Sequence, residues 1–224
     1  MLTLLADEPH FILIDKPAGQ SFHREGEKRG VLELLREQTG VGELHAVHRL
    51  DQLTSGLLLV AKGAEAAAEF GQLFAQRQIR KYYLALSDRA PGKKQGTLSG
   101  DMEKGRNGSW RLLQSRQDPA VTQFFTAGVG NGQRAFVVRP LTGRTHQIRV
   151  ALKALGSPIL GDARYGGSEA DRGYLHAYAL EFSLGDTHYR YACPPREGEH
   201  WHSPGGQLAF GRFAEPWCLA WPRT

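Results

Sequence analysis

Residues 48–59 read His-Arg-Leu-Asp-Gln-Leu-Thr-Ser-Gly-Leu-Leu-Leu, and Val60-Ala61 continue the apolar run. The stretch begins with charge and ends in side chains that are at home only inside a core. Leu57 to Ala61 therefore read as a buried strand, with Thr54-Ser55-Gly56 as the turn before it. Arg49 and Asp51 lie two residues apart on extended chain, so their side chains point to the same side. A guanidinium and a carboxylate are thus offered together on a loop anchored by a buried strand, a frequent way of building a site. The plainer reading of the same residues is an Arg-Asp pair that only fixes the loop.

Upstream, Phe11 to Asp15 reads as a buried strand closed by the turn Lys16-Pro17-Ala18-Gly19. Lys16 is a weak candidate for phosphate contact. Val31 to Thr39 has the spacing of a helix and Gly40 stops it. His48 is expected to be a hydrogen-bonded structural histidine. Downstream, an Ala-rich helix runs from Ala64 to about Gln78, and Arg80 to Leu86 switches to strand character. Within that strand Tyr82 and Tyr83 face opposite ways. Met102 to Arg116 reads as a hairpin turning at Asn107-Gly108, with Arg106, Trp110 and Arg111 placing cations beside an aromatic ring, suited to phosphate contact and base stacking.

Ala120 to Val129 and Gln133 to Leu141 are two more strands. After Thr142-Gly143 a helix is expected, with Ile148, Ala151, Leu152 and Leu155 as its buried face. His146, Arg149 and Lys153 share another flank. Arg144 falls in the first turn, where the helix dipole disfavours a cation, so an anion should offset it; a phosphate is one candidate and a screened surface arginine the alternative. Gly156 to Gly166 reads as a structural brace, with Asp162 as a turn former. Tyr174 to Ser183 and His188 to Ala192 are the last strands. The tail, 196–224, holds three of the four Trp residues and is expected to pack back on the domain. Many short strands, few helices and hairpin turns indicate an α+β fold with a mostly antiparallel sheet.

The chain has 224 residues, enough for one sizeable domain or two intimate subdomains, and 41% hydrophobic with 23% charged residues is ordinary for a globular protein. No apolar run approaches the ~20 residues of a membrane helix. The N-terminus lacks a basic leader, and the two cysteines suggest no disulfide framework, so a cytoplasmic setting is expected. The nine His residues show no metal-ligand grouping, and no metal is expected. Charge is uneven. Residues 77–116 hold ten Lys or Arg and three Asp or Glu, a balance of +7 against +5 for the whole chain, which leaves −2 elsewhere. A cationic face on a near-neutral body is the footprint of a polyanion binder, although solvated basic surfaces look the same.

Three of these stretches carry a family resemblance: HRLDQLTSGLLLVAK, the Lys-x-Tyr at 81–83, and Thr142-Gly143-Arg144-Thr145-His146-Gln147-Ile148-Arg149. Together with Lys16-Pro17-Ala18-Gly19 and the Gly-x-Pro-Ile-x-Gly-Asp-x-x-Tyr-Gly run at 156–166, they resemble the RluA-type pseudouridine synthases over roughly Phe11 to Pro195. The resemblance implies a curved mixed sheet with flanking helices, split by a cleft, in a single catalytic domain over 1–224 without an S4-like module. It implies isomerisation of uridine in structured RNA, ribosomal or transfer. The bond from ribose C1′ to uracil N1 breaks, the base turns, and C1′ is rejoined to C5. No redox or phosphoryl step occurs, so no cofactor is expected. Asp51 is implied as the catalytic carboxylate, Arg149 as the cation that keeps it charged, and Tyr83 as the ring against the target base. Arg49 is implied to fill the space left by the flipped base. Arg144, His146, Arg106, Trp110 and Arg111 complete the expected RNA contacts, and a monomer is expected. Two other readings use the same residues: an RNA-binding protein without catalysis, and a nucleosidase releasing free uracil.

Overall fold

The structure, a computed structural model, describes residues 1–222. Arg223 and Thr224, the end of the tail, lie outside the described residues. In chain order the elements are β1 (Thr3–Asp7), β2 (Phe11–Lys16), α1 (Val31–Thr39), β3 (Leu44–Ala46), β4 (Ser55–Lys62) and α2 (Gly63–Ala75). Next come β5 (Arg80–Ser87), β6 (Gln95–Gly100), β7 (Met102–Lys104), β8 (Trp110–Leu112), β9 (Ala120–Gly130), β10 (Gln133–Pro140) and α3 (Gln147–Ala154). β11 (Leu175–Leu184), β12 (Thr187–Ala192) and α4 (Pro204–Gly211) complete them. The chain divides into two compact units, one of Met1–Arg80 with His176–Pro195, the other of Lys81–Leu175 with the residues from Arg196 on.

The first unit is built on β4. Its residues from Ser55 to Ala61 are all buried, as a strand covered on both faces must be. It pairs antiparallel with β2, from Phe11 opposite Ala61 to Lys16 opposite Gly56, and antiparallel with β3. On the edge it shares with β3, at the strand's other end, it pairs parallel with β11, Ser55 opposite His176 and Gly56 opposite Ala177. β1 extends the sheet beyond β2, and β12 returns from β11 as a hairpin, so the sheet is mixed and mostly antiparallel. Helix α2 lays Phe70 on this sheet, 5.7 Å from both Phe11 and Phe182, with edge-on rings.

Ser55 and Gly56 are thus strand residues, where the sequence suggested a turn. The glycine is needed for a close approach. Its φ is +102°, and a Cβ there would lie 2.3 Å from the Ala177 carbonyl oxygen. Helix α2 also ends sooner than its pattern suggests, because Arg77 adopts a left-handed conformation (φ 59°) and turns the chain at a position where no glycine marks the stop.

In the second unit β5, β10, β9 and β6 form an antiparallel run, with Tyr83 opposite Val138 and Val138 opposite Phe124. β7 and β8 make a separate two-stranded ribbon whose turn places Asn107 (φ 52°) and Gly108 (φ 70°) in left-handed conformations, as an Asn-Gly turn requires. Helix α3 begins at Gln147, preceded by His146 in a left-handed conformation, so Arg144 lies in the loop ahead of the helix and outside its first turn. The helix buries Gln147, Arg149 and Val150 as well as Ile148, Ala151 and Leu152, whereas Leu155 caps it half-buried. The tail packs within this unit: Trp201 lies 5.1 Å from Tyr174 and from Phe210, and Trp221 sits 4.9 Å from Phe125 beneath the Arg139 guanidinium.

Two predictions follow from the first unit. Gly56→Ala drives a methyl group into the Ala177 carbonyl and should lower stability by about 1–3 kcal/mol; a denaturation midpoint equal to wild type would contradict the close approach. The second concerns Glu181 on β11. Its buried carboxylate accepts from Arg190 Nε at 2.8 Å and from Arg80 Nη1 at 3.0 Å. Burial pushes this carboxyl up, but the hydrogen bonds and charges of Arg190 and Arg80 more than reverse it and leave it below the ordinary 4.5. A lowered carboxyl contributes stability above its unfolded value and loses it as pH falls through the folded one. Unfolding measured down from pH 4.5 should therefore show an acid loss that Glu181→Gln flattens.

Candidate functional site

The loop between β3 and β4 carries Arg49, exposed, and Asp51, half-buried, on either side of the buried Leu50. A turn closes it, with the Thr54 N–H donating to the Asp51 carbonyl at 3.0 Å. The neighbouring Lys16–Gly19 turn holds it in place: the Gly19 N–H donates to the Gln52 carbonyl at 2.8 Å, and Gln52 Nε2 returns a bond to the Gly19 carbonyl at 3.2 Å. Lys16 is fully buried, and its ammonium donates to the carbonyls of Pro17, Gln20 and Gln52 at 3.0, 2.9 and 3.3 Å. It therefore binds no phosphate in this arrangement; it ties the two loops together.

His48 is structural, as expected. Its Nε2 accepts the Leu59 N–H at 2.9 Å, and its ring lies 5.1 Å from that of Phe74. Below the loop, His176 Nε2 donates to the Cys193 carbonyl at 2.7 Å, which leaves Nδ1 to accept from the Ser55 hydroxyl, also at 2.7 Å. The head of β4 is fixed from both sides.

The other residues singled out from the sequence stand in the second unit. Tyr83 is half-buried on β5 while Tyr82 points into the core, as strand alternation demands. Lys81 shares the Tyr83 face, close to Gly143, and burial holds its ammonium below the usual lysine range. Arg149 is 5% exposed, and its Nε and Nη2 donate to the two carboxylate oxygens of Asp162 at 2.7 and 2.9 Å. Asp162 is thus more than a turn former: it is the buried bidentate partner of Arg149. The guanidinium also lies 4.9 Å over the ring of Tyr165. Tyr165 Oη accepts the Trp110 N–H at 3.0 Å and contacts His146 Nδ1 at 2.7 Å. Arg149, His146 and Trp110 therefore converge on one tyrosine.

Arg144, outside the first turn of α3, pairs with Asp118, an exposed carboxylate. Its loop is set by Gln147. The Gln147 Oε1 accepts from the Arg144 N–H at 3.0 Å and the Thr142 hydroxyl at 2.7 Å, and Nε2 donates to the Val121 carbonyl at 3.0 Å. On the ribbon, Arg106 is exposed at the turn, Trp110 is half-buried, and Arg111 pairs with Glu103 across the strands. Exposed pairs of this kind contribute about 0–1 kcal/mol, so an incoming phosphate can replace Asp118 or Glu103 at small cost. The buried Arg149–Asp162 pair cannot exchange so cheaply, because parting it strands a charge away from water. Among the described residues no group of three or more His, Cys, Asp or Glu is placed to hold a metal, and no helix is long and apolar enough to cross a membrane.

Comparison with known proteins identifies the family. The model of the RNA pseudouridylate synthase family matches residues 10–154, which include the Asp51 loop, Tyr83 and Arg149. An uncharacterized RNA pseudouridine synthase of Haemophilus influenzae is 47% identical over 196 residues, 87% of this chain and 88% of that protein. The ribosomal large subunit pseudouridine synthase C of Escherichia coli is 34% identical, over 87% of this chain and 67% of its own. Human RNA pseudouridylate synthase domain containing 1 superposes with a TM-score of 0.74 at 25% identity, covering 87% of this chain and 84% of that one. The fold is the pseudouridine synthase fold, and the chain belongs to the RNA pseudouridylate synthase family, a family of isomerases.

Proposed function

We propose that this protein isomerises specific uridines of structured RNA to pseudouridine, with Asp51 as the catalytic carboxylate. The observation that carries the reading is the fixed loop that presents Asp51 at the head of β4, pinned by the Lys16 ammonium and the Gly19–Gln52 bonds. The reaction needs a carboxylate beside the glycosidic bond, held still and shielded from bulk water. Opening the C1′–N1 bond frees the base to turn. Closing the C1′–C5 bond expels the C5 hydrogen as a proton, and N1 ends protonated. By the resemblance of the motifs, Tyr83 offers the flipped uracil a stacking face and Arg149 supplies positive charge to the reacting site. Arg49 occupies the space that the uridine leaves. Extruding the uridine costs roughly a few kcal/mol, which phosphate contacts from Arg144, His146, Arg106 and Arg111, and stacking by Trp110, offset. Ribosomal RNA is the first substrate to try, since the Escherichia coli relative is named for the ribosomal large subunit.

Incubation with a large-subunit ribosomal RNA transcript carrying tritium at uridine C5 should release tritium. Asp51→Asn should cut that release at least about a hundredfold while leaving RNA affinity within about twofold; retained turnover in this variant would remove Asp51 from the chemistry. Affinity for the same transcript should fall steeply with salt, and Arg106→Glu with Arg111→Glu should flatten the dependence by about one logarithmic unit per lost phosphate contact. An unchanged slope would take the ribbon out of the RNA interface.

A further inference from the structure

Residues 162–165 form a short turn whose side chains reach in two directions. Toward α3, Asp162 grips the Arg149 guanidinium with both oxygens, and the Tyr165 ring lies beneath it at 4.9 Å. Toward the β7–β8 ribbon, Tyr165 Oη takes the Trp110 N–H at 3.0 Å, and Arg164 donates to the Asn107 carbonyl at the turn. The Trp110 backbone N–H can only donate, so Oη accepts there, and it also contacts His146 Nδ1 at 2.7 Å. The Tyr165 N–H to Asp162 carbonyl bond, at 3.1 Å, holds the turn together. Tyr165 is 2% exposed, so neither its hydroxyl nor its ring is replaced by water without loss.

The ribbon has three residues in each strand. A two-stranded ribbon of that length does not hold its shape unaided, so its docking on Tyr165 and Arg164 contributes to its order. The docking residue and the residue under Arg149 are the same.

We infer that Tyr165 is a positioning residue that serves both the seating of the 102–112 ribbon on RNA and the orientation of Arg149. This rests on the reading above, in which the ribbon grips RNA and Arg149 acts at the reacting uridine. The two halves of the side chain divide the work: the hydroxyl holds the ribbon, and the ring holds the guanidinium.

The two halves separate by substitution. Tyr165→Phe keeps the ring and loses the hydroxyl. Amide hydrogen exchange across 102–112, at Trp110 above all, should quicken, with exchange in α3 unchanged. The KM for the large-subunit ribosomal RNA transcript should rise about three- to tenfold, the equivalent of one lost hydrogen bond, with kcat within about twofold. Tyr165→Leu loses both halves, and kcat should fall about tenfold further. Arg164→Ala removes the other tie from an exposed position that folding tolerates, and it should quicken the same exchange. Unchanged exchange in both Tyr165→Phe and Arg164→Ala overturns the inference. So does a Tyr165→Phe enzyme whose kcat drops as far as that of Tyr165→Leu. A wild-type protein that makes no pseudouridine overturns the function instead, and the exchange measurement needs no RNA to be read.

Discussion

A lysine ammonium without exposure to water holds the Asp51 loop. Taking such a charge out of solvent costs several kcal/mol unless its hydrogens find acceptors. Lys16 finds them in the carbonyls of Pro17, Gln20 and Gln52, which belong to two loops far apart in sequence. Those loops cannot move independently without stranding the charge. The rigidity of such a loop is usually credited to the strand behind it. Here β4 supplies the base of the loop, and a cation behind the adjoining turn supplies the clamp.

The second unit uses charge in two registers. Arg149 is buried, doubly bonded to Asp162 and laid on Tyr165, an arrangement that fixes direction at the expense of freedom. Arg144 and Arg111 are exposed and paired with exposed acids. Such exposed pairs contribute little and can be exchanged at small cost. Long-range attraction comes from mobile surface charge and precise placement from buried pairs, and this unit carries both kinds.

The sequence was a good guide wherever a local rule decides. Helix α1 spans Val31–Thr39 and stops at Gly40, which takes the left-handed conformation that ends helices. Asn107-Gly108 makes the ribbon turn, and Tyr82 and Tyr83 take opposite faces. It was a poor guide wherever a distant residue decides. Gly56 looks like a turn former until β11 arrives beside it. Asp162 looks like a turn former until Arg149, thirteen positions earlier, reaches it. Lys16 reads as a candidate for phosphate contact, and only the fold shows the carbonyls it meets and that Asp118 is the anion beside Arg144. The end of α2 at Ala75 was hidden for another reason: Arg77 takes a backbone conformation that its side chain does not advertise. The motif residues were legible as a set, through family resemblance, while the partners that hold them in place were not.

The first unit is assembled from both ends of a long excursion. Ser55 meets His176 across 121 residues, and the parallel pairing at Gly56 and Ala177 forms only when both strands exist. On the ribosome, at about 5–20 residues per second, β4 waits on the order of ten seconds for β11 to emerge. Through that interval Ser55 and Gly56, at the head of the edge that β3 covers only farther along, lack their strand partner and can pair with any extended chain nearby. Nascent-chain chaperones, or slow synthesis in the cold, bear on the yield of this protein through that one unfilled edge.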